Sequence, residues 1–437
     1  MSKWVSTTTW LAGIQWLFFL FANTVVVPVS MGTAFHLPPE EVAAALQRSF
    51  VLVGAACMLQ AAAGHRYALM EGPSGIWWGV ILSLCASAPS MGISLAEVGG
   101  GLAAGILLAG LTTIILGVCG FGGLLKRVFT PVVMSVYLFL LSIELVLIFF
   151  QGMTGLSTEG RLDLPVTLLS LFIVGLVICI QVRGRGRLSN FSILIGMVAG
   201  WMLYRLFFPA APHVQSARAP LLSLFPWGAP HLEWGILLTA FLAGLLNMTN
   251  TITALGSAEK LYGTVTTDGQ YRRSFVWTGL AGIVSGLLGL VPSGPYTSSI
   301  GFLQSTRILE RSALIAGGGL FVLMGLVPAL GAFFSTLPVS VGNAVLFVAY
   351  LQLFGTALRT VQGVGFHSRT IYRVAVPLLT GICILFLPPE GVASLPAFIR
   401  PLAGNGLLMG MLLAVIVEHG VKWSRYEQPD LTTGGNR

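Results

Sequence analysis

The residues of this chain that could do chemistry are few, and they lie inside apolar stretches. Gly294-Pro295-Tyr296-Thr297-Ser298-Ser299-Ile300-Gly301 sets glycine, proline and a run of hydroxyls between two long hydrophobic segments. Irregular backbone at membrane depth is tolerated only where protein buries it or where it lines a cavity, so this stretch predicts a binding site. Glu144 stands alone among Leu140, Leu141, Ile143, Leu145 and Val146. An ionisable side chain there costs about 2.5–3.5 kcal/mol on insertion scales, which makes it a candidate ion-coupling group. The other reading pairs it with a Ser or a backbone group between helices. Glu71 lies at a segment edge near His65 and Arg66, where a local ion pair is the expected arrangement and a transport role the alternative. Asn23, Asn247 and Asn250 are amides within apolar spans, able to bond a neighbouring helix or a ligand.

These residues suit the recognition and passage of a small polar solute, not bond-making. No Ser/His/Asp or Cys/His set, metal-ligand spacing or phosphate-binding glycine loop stands in the sequence, so an enzyme, a cofactor and a metal are not expected. The six histidines fall in loops or at segment ends.

Such residues must be positioned by membrane-spanning helices. With 55% hydrophobic and 9% charged residues and a mean hydropathy of +0.87, too little polar surface exists to coat a soluble domain of 437 residues. Apolar stretches near the span length occur at 11–29, 50–64, 101–121, 129–150, 165–182, 191–208, 233–256, 274–292, 313–333, 340–358, 370–387 and 402–420. Two more, at about 68–90 and 293–312, are interrupted at Glu71-Gly72-Pro73-Ser74-Gly75 and at the Gly294 cluster, as expected of a short strand followed by a helix. The sum is an all-α polytopic membrane protein of fourteen segments in which the third and tenth are interrupted, the pattern of two inverted seven-segment repeats. Helix N-termini after the two breaks would aim unpaired N–H groups at a shared site.

Basic residues support this order. With the N-terminus cytoplasmic, 18 of the 23 Lys and Arg fall in inside loops, and Arg48, Arg161, Arg205, Arg218 and Arg400 fall outside. Both termini are expected in the cytoplasm, in a multi-pass protein of the cytoplasmic membrane. The net charge of +8 is spread over short loops, with Arg183, Arg185 and Arg187 the densest cluster, so it suits topology and anionic lipid better than nucleic acid. The run after Lys3 and Trp4 continues through Pro28 without an early cleavage site, so the first segment is expected to be retained. Cys57, Cys85, Cys119, Cys179 and Cys383 read as small core residues. The proline-rich stretch 209–232 reads as an external cap, and the tail after Glu427 as disordered.

The tenth segment resembles the signature of the nucleobase–cation symporter-2 family, the nucleobase–ascorbate transporters that include uracil, xanthine and uric acid permeases. The resemblance rests on Ser298-Ser299-Ile300-Gly301-Phe302-Leu303-Gln304-Ser305-Thr306-Arg307-Ile308-Leu309-Glu310-Arg311, with Pro292 and Tyr296 just before it. Asn23 to Pro28 is similar to the family's first-helix motif, and Thr130-Pro131-Val132-Val133 to its fifth-segment entry. The resemblance implies a core (about 8–125 and 233–335) moving against a gate (about 126–232 and 336–422), a cytoplasmic tail over 423–437, a homodimer, and a nucleobase held between core and gate. It also implies substrate-binding roles for Asn247, Ser298, Ser299, Asn23, Trp77, Tyr296 and Asn250, with Trp77 stacking on a flat heterocycle or, alternatively, sitting in an interfacial belt like Trp78.

The departures from the family fall on its carboxylates. Asn247 stands where the family usually places a substrate-binding Glu, Ser298 where it has Glu or Gln, Ser299 where it has Asn, and Thr278 at a position often acidic. Amides and hydroxyls can still read a lactam edge, but a proton cannot ride on them. Coupling then falls to another group, to a proton or another cation, or is absent. Two rivals follow: an anion carrier of the sulfate-permease class, and a membrane-embedded sensor or scaffold that binds without flux.

Overall fold

The computed structural model describes residues 7–121, 123, 127–155, 162–184, 187–208, 222–362, 364–365, 370–392, 394–396 and 399–423. The proline-rich stretch over 209–221, the tail from 424 and the centre of the arginine cluster lie outside the described residues.

Nearly every element is a helix. α1 (Thr7–Thr24) runs into α2 (Val26–Ala34), followed by α3 (Pro39–Ala62), β1 (Glu71–Pro73), α4 (Gly75–Met91) and α5 (Leu95–Cys119). Next come α6 (Pro131–Met153), α7 (Leu164–Arg183), α8 (Ser192–Phe207), α9 (Trp234–Tyr262) and α10 (Asp268–Leu288). β2 (Ser293–Pro295), α11 (Ser298–Thr306), α12 (Arg311–Gly325), α13 (Pro328–Phe334), α14 (Val339–Thr360), α15 (Tyr372–Leu385) and α16 (Gly406–Gly420) complete the order. Short polar side chains set several starts: Ser94 with Glu97 and Thr267 with Gln270 form capping boxes, and Thr130 caps α6 with Pro131 at its first position.

Among the described residues, seven helices are long and apolar enough to cross a membrane alone: α1 with α2, α3, α5, α6, α7, α9 and α14. α4, α8, α15 and α16 are apolar but shorter. The expected single span 313–333 is instead broken between α12 and α13 by 89°, where Pro328 cannot continue the hydrogen-bond ladder. Large apolar side chains such as Leu168, Phe172, Val182, Met202 and Phe207 face outward, as a lipid-facing surface requires.

Two sets of helices pack most heavily among themselves. In one, α5 lies against α10 and α9, and α12 lies against α3 and α1; in the other, α6 lies against α14 and α16, and α15 against α16. Glycines permit the closest approaches. A Cβ on Gly110 would fall 2.9 Å from the Gly279 carbonyl, and one on Gly279 would fall 2.7 Å from the Gly110 carbonyl. The two interrupted segments meet in a two-stranded antiparallel ladder, with Glu71 opposite Pro295, Gly72 opposite Gly294 and Pro73 opposite Ser293.

Some details correct the sequence reading. Cys57 and Cys85 are buried, but Cys119, Cys179 and Cys383 are exposed on apolar helix surfaces, where a small apolar side chain suits lipid as well as protein. Arg48, counted with the external loops, is buried in α3 and forms an ion pair with Glu41 seven residues earlier.

Candidate functional site

The ladder places two helix starts back to back. α4 begins after β1 at Ser74 and α11 begins after β2 at Thr297, and neither start carries a side-chain cap. α9 crosses this junction, held by its packing on α5, and brings Asn247 and Asn250 to the same side one turn apart. Asn247 Nδ2 donates to the Ser293 carbonyl at 2.8 Å, and its Oδ1 accepts from Asn250 Nδ2 at 3.0 Å. Asn250 Nδ2 also donates to Ser74 Oγ at 3.2 Å. No bond among the described residues uses Asn250 Oδ1, which leaves an acceptor on a half-buried amide. Gly294 eases this approach, because a Cβ there would sit 3.1 Å from Asn247 Oδ1 and press on the amide. Tyr296 Oη donates to the Pro73 carbonyl and so ties the end of β2 to β1.

The expected site residues thus divide. Asn247, Asn250 and Tyr296 converge on the ladder, joined by Ser74, which sequence reasoning did not single out. Ser298 is exposed on the first turn of α11. Ser299 turns inward, fully buried, and its Oγ accepts from the Met70 amide at 3.0 Å. Asn23 serves its own helix, donating to the Phe19 carbonyl at 2.8 Å. Trp77 packs in the apolar interior against Gly244 of α9. Trp78 is likewise buried and donates to Ser30 Oγ at 3.1 Å, so it is no interfacial belt residue; α4 starts inside the molecule, behind β1.

Glu144 lies on α6 at the contact with α4. Both its oxygens are buried without a hydrogen-bond partner among the described residues, so the Ser or backbone pairing is not formed. A Cβ on Gly79 would lie 3.4 Å from Glu144 Oε2, and one on Gly75 would lie 3.3 Å from the Tyr350 hydroxyl of α14. Two glycines one turn apart therefore give α4 a flat face on which Leu141, Glu144 and Tyr350 rest. Beside it Trp78, Phe149 and Tyr350 cluster with ring centroids 5.1, 5.3 and 6.0 Å apart. Ser142 Oγ, donating to the Tyr350 carbonyl at 3.2 Å, holds α6 to α14 behind the seam. The Gly75-x-x-x-Gly79 spacing was the available signal for this face. Nothing in the sequence marked Tyr350.

Glu71 departs most from its expected arrangement. It makes no ion pair with His65 or Arg66; His65 Nδ1 instead accepts from the Tyr67 amide at 3.1 Å. The Glu71 side chain points the other way, into a cluster with Gln60 and Thr278, because alternation along β1 turns it from the loop toward α3 and α10.

Comparison with known proteins gives consistent results. The family model described as a permease family, Xan_ur_permease, matches residues 7–390. The protein YwdJ of Bacillus subtilis (strain 168) is 28% identical over 98% of this chain and 99% of its own length. The uric acid permease PucJ of the same organism is 26% identical over 92% of this chain and 90% of its own, and its xanthine permease 24% identical over 93% and 92%. The transmembrane domain of the cyanobacterium bicarbonate transporter BicA superposes with a TM-score of 0.58 at 18% identity, covering 93% of this chain and 98% of that one. Murine Slc26a9, an anion transporter in the inward-facing state, gives 0.66 at 11% identity over 98% of this chain and 70% of its own. At these identities the two solved structures speak to the fold alone.

Proposed function

We propose, from the premise that this chain belongs to the nucleobase–cation symporter-2 permease family, that it is a secondary transporter taking up a nucleobase, xanthine-like or uracil-like, across the cytoplasmic membrane. The observation that carries the reading is the amide pair at the ladder. Asn247 and Asn250 supply donor and acceptor edges, and Asn250 Oδ1 is unclaimed. A planar lactam presents the complementary acceptor and donor. No basic side chain bonds to these amides among the described residues, which favours a neutral base over an inorganic anion.

Movement follows from the seam. Fourteen segments divide into a core, carrying β1, β2 and α9, and a gate, carrying α6 and α14, with the termini cytoplasmic and a homodimer as the assembly. The Gly75 and Gly79 face of α4 lets the core slide on Leu141, Glu144 and Tyr350, in an elevator-type alternation of access. Tyr296 frames the pocket from the ladder, Ser298 stands exposed on α11, and Trp77, Asn23 and Ser299 shape it from behind. Glu144, bare at this seam, is the gate's candidate for ion coupling.

Uptake of radiolabelled xanthine, uric acid, hypoxanthine and uracil into proteoliposomes tests the reading. At least one base is expected to enter and to be displaced by its unlabelled form. Uptake of sulfate or bicarbonate with no base would move the chain to the anion carriers, and base binding without flux would make it a sensor.

A further inference from the structure

The carboxylate of Glu71 is fully buried, and no basic side chain among the described residues neutralises it. Its Oε1 accepts from Thr278 Oγ1 at 2.8 Å and its Oε2 from Gln60 Nε2 at 3.3 Å. The same Gln60 Nε2 faces the Ser274 carbonyl at 3.1 Å and Thr278 Oγ1 at 3.0 Å. Cys57 lies against the backbone of the same residue: its Sγ accepts from the Glu71 amide at 3.2 Å and lies 3.5 Å from the Glu71 carbonyl. The titratable groups nearby are thus Cys57 of α3 and, on the other side of the strand, Tyr296, whose hydroxyl is engaged by Pro73. α1 and β2, also packed on β1, bring no titratable side chain.

What the cluster lacks is a balancing charge. Gln60 Nε2 and Thr278 Oγ1 donate to the carboxylate, and the Ser293 hydroxyl is buried beside it, yet every one of these groups is neutral. One proton added to the carboxylate removes the charge, and the O–H so formed has the Ser293 hydroxyl oxygen as an acceptor. A sodium ion fits less well, because N–H and O–H donors already occupy the carboxylate faces that would ligate it.

We propose that Glu71 is a proton-binding site of the core, taking one proton on its carboxylate when the core faces the proton-rich side and releasing it on the other, with Gln60 and Thr278 as its positioning residues. The ladder links this site to the amide pair. Glu71 pairs with Pro295, and two residues before Pro295 the Ser293 carbonyl takes the Asn247 amide. Loading a proton and holding a base are therefore read by the same two strands. Unlike Glu144, Glu71 stays within the moving body, so it carries its proton with the substrate.

The coupling half of this inference rests on the transport reading above; the proton-binding half does not. Infrared difference spectra of purified protein in lipid, titrated with pH and without any substrate, should show the carbonyl stretch of a buried carboxylic acid. That band should vanish in Glu71→Gln and persist in Glu144→Gln. In Thr278→Val, which removes a donor to the charged form, it should appear at higher pH. A band absent, or unchanged in Glu71→Gln, overturns the proposal whatever the transport result. Proteoliposomes give the second arm. Glu71→Gln is neutral, keeps a carbonyl oxygen for the Thr278 hydroxyl and so imitates the protonated acid; the variant should fold, exchange labelled base with unlabelled base, and lose accumulation driven by a proton gradient. Gradient-driven accumulation retained in Glu71→Gln overturns the coupling role. Should the wild type carry no base at all, the transport reading fails and the infrared arm still decides proton binding.

Discussion

Glu71 and Glu144 are both acidic residues buried within apolar segments, yet their surroundings differ in kind. Glu71 is enclosed by donors from α3 and α10, within one set of closely packed helices. Glu144 faces a glycine of α4 across the seam between that set and the other, with neither oxygen bonded. Burial alone therefore does not define what a carboxylate does. A satisfied one is part of the packing and changes state only by gaining a proton. A bare one at a seam is an unmet demand, and it is met when the seam shifts or water enters.

The largest expected effect breaks this comparison through stability, because the two sites should respond with opposite sign. Glu71→Leu strands Gln60 and Thr278 without their acceptor and should cost about 3 kcal/mol. Glu144→Leu removes an unpartnered carboxylate from an apolar contact and should stabilise by about 1 kcal/mol. Thermal unfolding of the two variants in one detergent measures the difference. Equal destabilisation would mean that Glu144 has partners in the membrane-embedded protein and that the contrast is false.

The seam itself is probed next. Gly79→Leu wedges a side chain into the space occupied by Glu144 and Leu141 and should lower uptake by about 100-fold by blocking the slide. Gly79→Ala, whose Cβ falls at 3.4 Å from Glu144 Oε2, makes ordinary contact and should transport nearly as wild type. Loss of uptake in both would show that the α4 face tolerates no side chain at all. Wild-type uptake in both would remove the sliding surface.

At the ladder, Asn247→Ala frees the Ser293 carbonyl and withdraws the partner of Asn250. The loss of one or two hydrogen bonds at about 1 kcal/mol each should raise KM for the base by about tenfold. The same change should leave the infrared band of Glu71 in place, since the two sites share strands but no side-chain bond. A band lost along with affinity would merge them into one site.

The degree to which these regions were legible in the sequence follows the same division. Gly72-Pro73 and Gly294-Pro295 announced strand-then-helix interruptions, because proline and glycine act locally, and Pro328 marks the break of the apolar stretch 313–333 equally locally. The amides were visible as polar atoms in lipid. What the residues bond to was not visible. Ser298 and Ser299 are neighbours of one type, yet helical rotation exposes the first and buries the second against Met70. Glu71 has His65 and Arg66 close by in sequence and bonds neither, because its partner Thr278 lies 207 residues away and arrives only when β1 docks on α10. Facing and long-range partnership are properties of packing, and a single sequence carries no record of them.

Tyr350 gives the smallest expected effect and tests from which side the seam acts. Its ring packs on Trp78 and Phe149, so Tyr350→Phe keeps the aromatic cluster and removes only the hydroxyl beside Gly75. That hydroxyl would lie 3.3 Å from a Cβ on Gly75, at the start of α4, and Asn250 reaches the same turn through Ser74. If a base bound there takes one hydrogen bond from it, KM should rise about threefold, the lower end of what one neutral bond contributes. The turnover rate should hardly change, since the flat face and the ring remain. A rise larger than that of Asn247→Ala would shift the weight of recognition from α9 to α14. An unchanged KM with slower turnover would make Tyr350 a bearing surface, and the polar reading of the base would then belong to the ladder alone.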